Sequence, residues 1–166
     1  MNIDIAKQRG CILAYFAHRG ITPARGLDAL EFAIEEWGEL FSALKRREPQ
    51  WTRNNPRTIT DNDIIYEIGD AYMMMVLALD DATTDITVFD EHKYKQYSEK
   101  GLCLVAMRKL SYTHNEVEYY GKQEIDDYEI ANAIHILNSL AMRLNMPNQA
   151  ECAQRKFAHK TGRRFE

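Results

Sequence analysis

Two short stretches of this sequence carry carboxylates at helical spacing. The first is Glu35-Glu36-Trp37-Gly38-Glu39-Leu40 and the second is Glu67-Ile68-Gly69-Asp70. Residues three or four apart lie on one side of a helix, so Glu35, Glu36 and Glu39 share a side, and so do Glu67 and Asp70. If the two helices face each other, Glu36, Glu39, Glu67 and Asp70 converge four hard oxygen donors on one point. Such a donor set suits Mg2+, with Mn2+ as the alternative, because these ions prefer carboxylate and water ligands to nitrogen or sulfur. Gly38 and Gly69 each lie inside a pair and are expected to let the two helices approach closely. A solvated acidic face is the plainer explanation of the first pair. It fits the second pair less well. Glu67 and Asp70 fall on the same side as Ala71, Met74, Leu77 and Ala78, and a buried carboxylate needs a partner or a metal.

The elements that must carry these groups are helical almost throughout. Residues 3–18 read as a first helix, stopped near Gly20. Thr22-Pro23 then reads as an N-cap with proline at the first helical position. A second helix over 26–47 has Leu27, Leu30, Ile34, Trp37, Phe41 and Leu44 as its apolar stripe and ends before Pro49. A loop over 48–60 leads to a third helix over 61–80, capped by Thr60 or Asp61. From 71 to 79 this helix is apolar on every side, which predicts a central, buried position. Residues 86–100 give no clear periodicity, with a short extended piece expected at 86–89. Further helices are expected over 101–119, 127–144 and 148–160, the last closing at Gly162 before a basic tail.

Composition narrows the function classes. The chain has 166 residues, a net charge of −4, 45% apolar and 28% charged residues, as a soluble single domain would. An acidic balance weighs against general nucleic-acid binding, which leaves a basic footprint. No segment approaches the roughly 20 apolar residues of a membrane span, and the N-terminus lacks a secretory layout. Cys11, Cys103 and Cys152 are an odd number, widely spaced, so a reducing cytoplasm is the default expectation and core packing the expected role. Trp51 and Tyr66 are candidates to stack on a base, with packing as the alternative.

The spacing Glu36-x-x-Glu39, 27 intervening residues, Glu67-x-x-Asp70 resembles the signature of the all-α nucleoside triphosphate pyrophosphohydrolases. That superfamily includes the MazG-like enzymes, the dimeric dUTPases and the phosphoribosyl-ATP pyrophosphatases. The doubled Glu35-Glu36 and the Trp-Gly-Glu-Leu continuation are similar to it as well. So is the closing Gln154-Arg155-Lys156-Phe157-x-x-Lys160-x-x-Arg163-Arg164-Phe165. The resemblance covers the second and third helices and the tail, and is poor over 81–125. It implies a MazG-like helical bundle formed by residues 1–166. It also implies Mg2+-dependent hydrolysis of the α–β phosphoanhydride of an NTP or dNTP to NMP and pyrophosphate. By resemblance Glu36, Glu39, Glu67 and Asp70 are the metal ligands; Glu35 is the candidate to orient or deprotonate the attacking water, with an outer or purely structural role as the alternative. Lys156, Lys160, Arg163 and Arg164 neutralise the phosphates, from a tail expected to add little to the core, with a solvated helix end that favours cations as the alternative. The partner implied is a small nucleotide, with self-association into a homo-oligomer left open. The alternative class is a non-catalytic helical interaction module.

The sequence also echoes itself. Tyr66-Glu67-Ile68-Gly69-Asp70-Ala71 recurs as Tyr128-Glu129-Ile130-Ala131-Asn132-Ala133, and Gly26-Leu27 as Gly101-Leu102. Two helical-hairpin units, 26–80 and 101–146, account for this, with chance likeness of amphipathic helices as the alternative. Aligning the units puts Leu110, Ser111 and His114 where Glu35, Glu36 and Glu39 stand. Glu129 then keeps the place of Glu67, and Asn132 replaces Asp70. Only the first unit is therefore expected to hold metal, while Ile130, Ile134, Leu137, Ala141 and Leu144 point inward.

Overall fold

Among the residues described by the computed structural model, 4–49, 58–80 and 94–166, there are six α-helices and no strand. They are α1 (Ile5–His18), α2 (Gly26–Arg46), α3 (Asp61–Ala78), α4 (Glu99–Glu118), α5 (Asp127–Arg143) and α6 (Gln149–Thr161). The extended piece expected at 86–89, and Trp51, lie outside the described residues. No described helix is long and apolar enough to cross a membrane.

Short polar side chains set the helix starts. Thr60 and Asp63 form a reciprocal capping box at α3, with Asp63 N–H donating to Thr60 Oγ1 at 3.2 Å and Thr60 N–H to Asp63 Oδ2 at 2.8 Å. Ser98 caps α4 through the Gly101 amide and Asn148 caps α6 through the Glu151 amide. α2 begins differently from the expectation. Thr22-Pro23 does not cap it; Arg25 stands at the N-cap position without a side-chain bond. Gly26 has a φ of 55°, a left-handed backbone that a helix cannot run through, so helical geometry starts only there.

α3 is the central helix, as its all-round apolar character predicts. Ile64, Ile68, Ala71, Tyr72, Met75, Val76 and Ala78 are all fully buried. It packs on α2, α6, α5 and α1, while α4 packs on α2 and α5. The helices α2, α3, α5 and α4 thus close a four-membered ring, and α1 and α6 cover the outer side of α3. The Trp37 indole N–H meets Met75 Sδ at 3.4 Å across the α2–α3 seam. From α1, the Arg9 guanidinium donates to the carbonyls of Val76, at 3.2 Å, and Leu79. A cation there also suits the negative end of the α3 dipole. On α5, Ile130, Ile134, Leu137 and Ala141 are fully buried and Leu144 is half-buried, close to the inward face expected.

Two expectations about packing need correction. Gly38 does not mediate a helix contact: a Cβ added there would meet nothing within 4 Å. Gly69 does, but against α6 rather than α2. A Cβ on Gly69 would lie 3.1 Å from backbone atoms of Ala153 and Cys152. The tail, expected to add little to the core, folds back along α6 instead. Phe165 is only 6% exposed, its ring 5.8 Å from both Tyr15 and Phe157. The Gln154 side chain clamps the Phe165 backbone, accepting from its N–H at 2.9 Å and donating to its C=O at 2.5 Å. An aromatic side chain three residues beyond the Gly162 stop is enough to anchor the end of the chain.

Gly69→Ala is therefore expected to lower stability by about 1–3 kcal/mol, since the new methyl meets backbone that cannot swing aside. Gly38→Ala, with the same change of residue in open space, should be neutral or stabilising by up to about 1 kcal/mol. Urea unfolding midpoints of the two variants check the pair. Phe165→Ala should cost about 3 kcal/mol by the same measurement, which a tail outside the core would not show.

Candidate metal centre

The carboxylates meet where α2 crosses α3. On α2, the fully buried positions are Ala29, Leu30, Ala33, Trp37 and Leu40. At about 100° per residue this face is turned from the predicted stripe toward Leu40, which places Glu36 at its edge, between Ala33 and Leu40. Glu36 is accordingly half-buried, while Glu39 and Glu35 are exposed. On α3, Glu67 and Asp70 are half-buried beside the fully buried Ile68 and Ala71.

One oxygen each from Glu36, Glu67 and Asp70 lies within 4.8 Å of the others. Among the described residues this is the one group of three or more such side chains placed to share a cation. Glu39 stands outside that triad but not outside its field. Its charge is the strongest carboxylate influence on both Glu36 and Glu67. Burial first, and Glu39 next, push the Glu36 carboxyl from the ordinary 4.5 up to about 7. The Glu67 carboxyl is raised by the same two causes in the same order. Glu35 is exposed on α2 and reaches the cluster only as the smallest of the charges acting on Glu36.

α6 supplies the answering charge. Lys156 forms an ion pair with Asp70 Oδ2, both side chains less than a fifth exposed. Burial pulls the Lys156 ammonium below the ordinary lysine range, against the opposing pull of Glu67 and Glu36. The close approach at Gly69 makes this pair possible, since Ala153 seats α6 on α3 one turn before Lys156. Tyr66 stacks on His159 at 4.8 Å across the same seam.

Of the four basic residues assigned to phosphate, the structure brings two to the cluster. Lys160 lies one turn beyond Lys156, close enough for its charge to be felt there. Arg163 lies over the Phe165 ring at 4.5 Å. Arg164 pairs with Glu151 in the first turn of α6, five residues before Lys156 and so about 140° round the helix from it. Two features escaped the sequence reading. Arg46 offsets Glu67 from the end of α2, and its place seven residues after Glu39 on the same face is the signal that marks it. Lys156 acts as an internal counter-ion, which no local pattern announces. Tyr66 is engaged by His159, so packing accounts for it.

The donor set fits a divalent cation. Three carboxylate oxygens converge with a fourth carboxylate at the rim, all are hard donors, and burial together with the neighbouring Glu39 charge raises the proton affinity of Glu36 and Glu67 while Lys156 pairs with Asp70. Comparison of the chain with protein-family models, with curated proteins and with solved structures gives no match.

These shifts carry a sign for stability. In the unfolded chain Glu36 and Glu67 titrate near 4.5; in the fold they hold protons to higher pH, to about 7 for Glu36. Between those values the folded state binds more protons than the unfolded, so stability falls as pH rises through the window. Glu151, held low by Arg164 and Arg155, contributes below the window and does not mask it. In EDTA the unfolding midpoint should drop between pH 5 and pH 8, and Glu36→Gln should flatten the drop.

Proposed function

We propose that the chain is a metal-dependent nucleoside triphosphate pyrophosphohydrolase, cleaving the α–β phosphoanhydride of an NTP or dNTP to NMP and pyrophosphate. The observation that carries this reading is the convergence of Glu36, Glu67 and Asp70 within 4.8 Å on two packed helices. It coincides with the residues whose spacing resembles that family. Glu36, Glu67 and Asp70 would hold Mg2+ or Mn2+, with Glu39 joining from the rim. When bound, the ion supplies positive charge for the phosphoryl oxygens and Lewis acidity for the hydrolytic water.

The chain's own groups then have defined tasks. Lys156 holds Asp70 in place when no cation is present, and its ammonium turns to a phosphate oxygen when substrate brings more negative charge. Lys160 adds charge on the same side of α6. Glu39, the most accessible of the four carboxylates, serves as ligand or as the group that takes the proton of the attacking water. Glu35 lies on the solvent side of α2, which favours an outer role for it. Three buried, unpaired cysteines support a reducing compartment such as the cytoplasm.

The same reading treats the bundle as MazG-like, with α2–α3 and α4–α5 as two copies of one hairpin. The ring contacts of α2 on α4 and α3 on α5 support it. The second unit is consistent with loss of metal chemistry. His114 sits 2.9 Å from Glu31, Glu129 is paired with Lys109 at 2.5 Å, and Asn132 is buried.

The test is pyrophosphate release from a panel of nucleoside triphosphates with Mg2+ or Mn2+. Glu67→Gln and Asp70→Asn should each reduce kcat/KM by at least about a hundredfold, as expected when ligands to a catalytic ion are neutralised. Wild-type Mn2+ should also raise the unfolding midpoint, an effect those variants lose. Metal binding without hydrolysis of any nucleotide would move the chain to the class of interaction modules.

A further inference from the structure

The opposite side of the ring holds a cavity that shares no residue with the acidic cluster. It measures about 460 Å3, within the range of about 300–1,000 Å3 typical of small-ligand sites, and lies between α4, α5 and the turn at 94–98. Its lining includes Tyr94, Tyr97, Arg108, Lys109, Tyr112 and Glu129. The turn is held in place: the Arg143 guanidinium of α5 donates to the Tyr94 carbonyl at 2.9 Å and the Tyr97 carbonyl at 2.5 Å. Tyr94 is buried, and its ring lies 6.3 Å from that of Tyr97. Tyr112, 56% exposed, brings a third ring from α4. Lys109 and Glu129 pair at 2.5 Å, both about one-fifth exposed, and set a donor beside an acceptor. Arg108 lines the cavity and forms no hydrogen bond or ion pair among the described residues.

We propose that this cavity binds a nucleoside monophosphate without a metal. The exposed phenol rings of Tyr97 and Tyr112 offer planar surface for stacking a base, which tolerates any base identity, and the buried Tyr94 backs Tyr97. The Lys109–Glu129 pair presents the alternating donor and acceptor that a base edge requires. One unpaired guanidinium matches one phosphate, because its fork accommodates two oxygens at once. A triphosphate would need further cations, and Lys109 is already neutralised by Glu129. The site is independent of the pyrophosphohydrolase reading, since it uses neither the cluster nor a divalent ion.

Isothermal titration of the full chain in EDTA with AMP, GMP, CMP and UMP tests the proposal. At least one should bind at a single site, with its nucleoside and inorganic phosphate each binding much more weakly. Arg108→Gln should weaken that nucleotide by roughly tenfold or more, and Tyr112→Ala by about fivefold or more. Both side chains are exposed, so neither change threatens the fold. Glu67→Gln should leave the affinity unchanged. The proposal is overturned if none of the four binds at several millimolar, if Arg108→Gln binds like the parent, or if Glu67→Gln abolishes binding. Because EDTA silences the metal centre, a failure of hydrolysis does not affect this outcome.

Discussion

The missing side chain at Gly69 is the constraint on which the rest depends. α3 is buried along most of its length, yet it carries Glu67 and Asp70 on one edge. A helix can hold charges there only if something nearby answers them. With 3.1 Å separating the Ala153 backbone from where a Cβ would sit, α6 packs directly on the α3 backbone. That approach puts Lys156 within reach of Asp70 and Tyr66 against His159. It also brings Phe157 under Tyr15, at 4.3 Å, where Phe165 then closes the end of the chain.

The charge balance around the cluster explains its design. Four carboxylates, from Glu36, Glu39, Glu67 and Asp70, face one paired ammonium, with Arg46 and Lys160 at greater remove. Burial raises the proton affinity of Glu36 and Glu67, and the like charge of Glu39 adds to the effect. A fold arranged for stability alone would replace Glu36 by an apolar residue, since Ala33 and Leu40 flank it and the Trp37 side chain beside it is wholly buried. Retained carboxylates at such positions are what a cation-binding role would explain.

The two halves of the ring put their polar groups to different use. In α2–α3 the acidic groups converge and the basic answer comes from a third helix. In α4–α5 the acid and base, Glu129 and Lys109, answer each other directly, and tyrosines take the space around them.

The sequence by itself determined the helices and which of them is central. Periodicity, polar caps at Thr60 and Asn148, and the all-apolar run at 71–79 act within a few residues, so they are legible without the fold. The metal-ligand candidates were legible for the same reason, because spacings of three and four are local helical geometry. The exact face of α2 was not, since rotation about a helix axis is decided by what packs on it. Leu40 and Ala43, beside the glutamates in sequence, proved to be core. The partner of Gly69, the pairing of Lys156 with Asp70 across 86 residues and the burial of Phe165 belong to the tertiary structure alone. Each is a contact between distant segments, fixed by which helices the chain brings together, and no local pattern of residues encodes that choice.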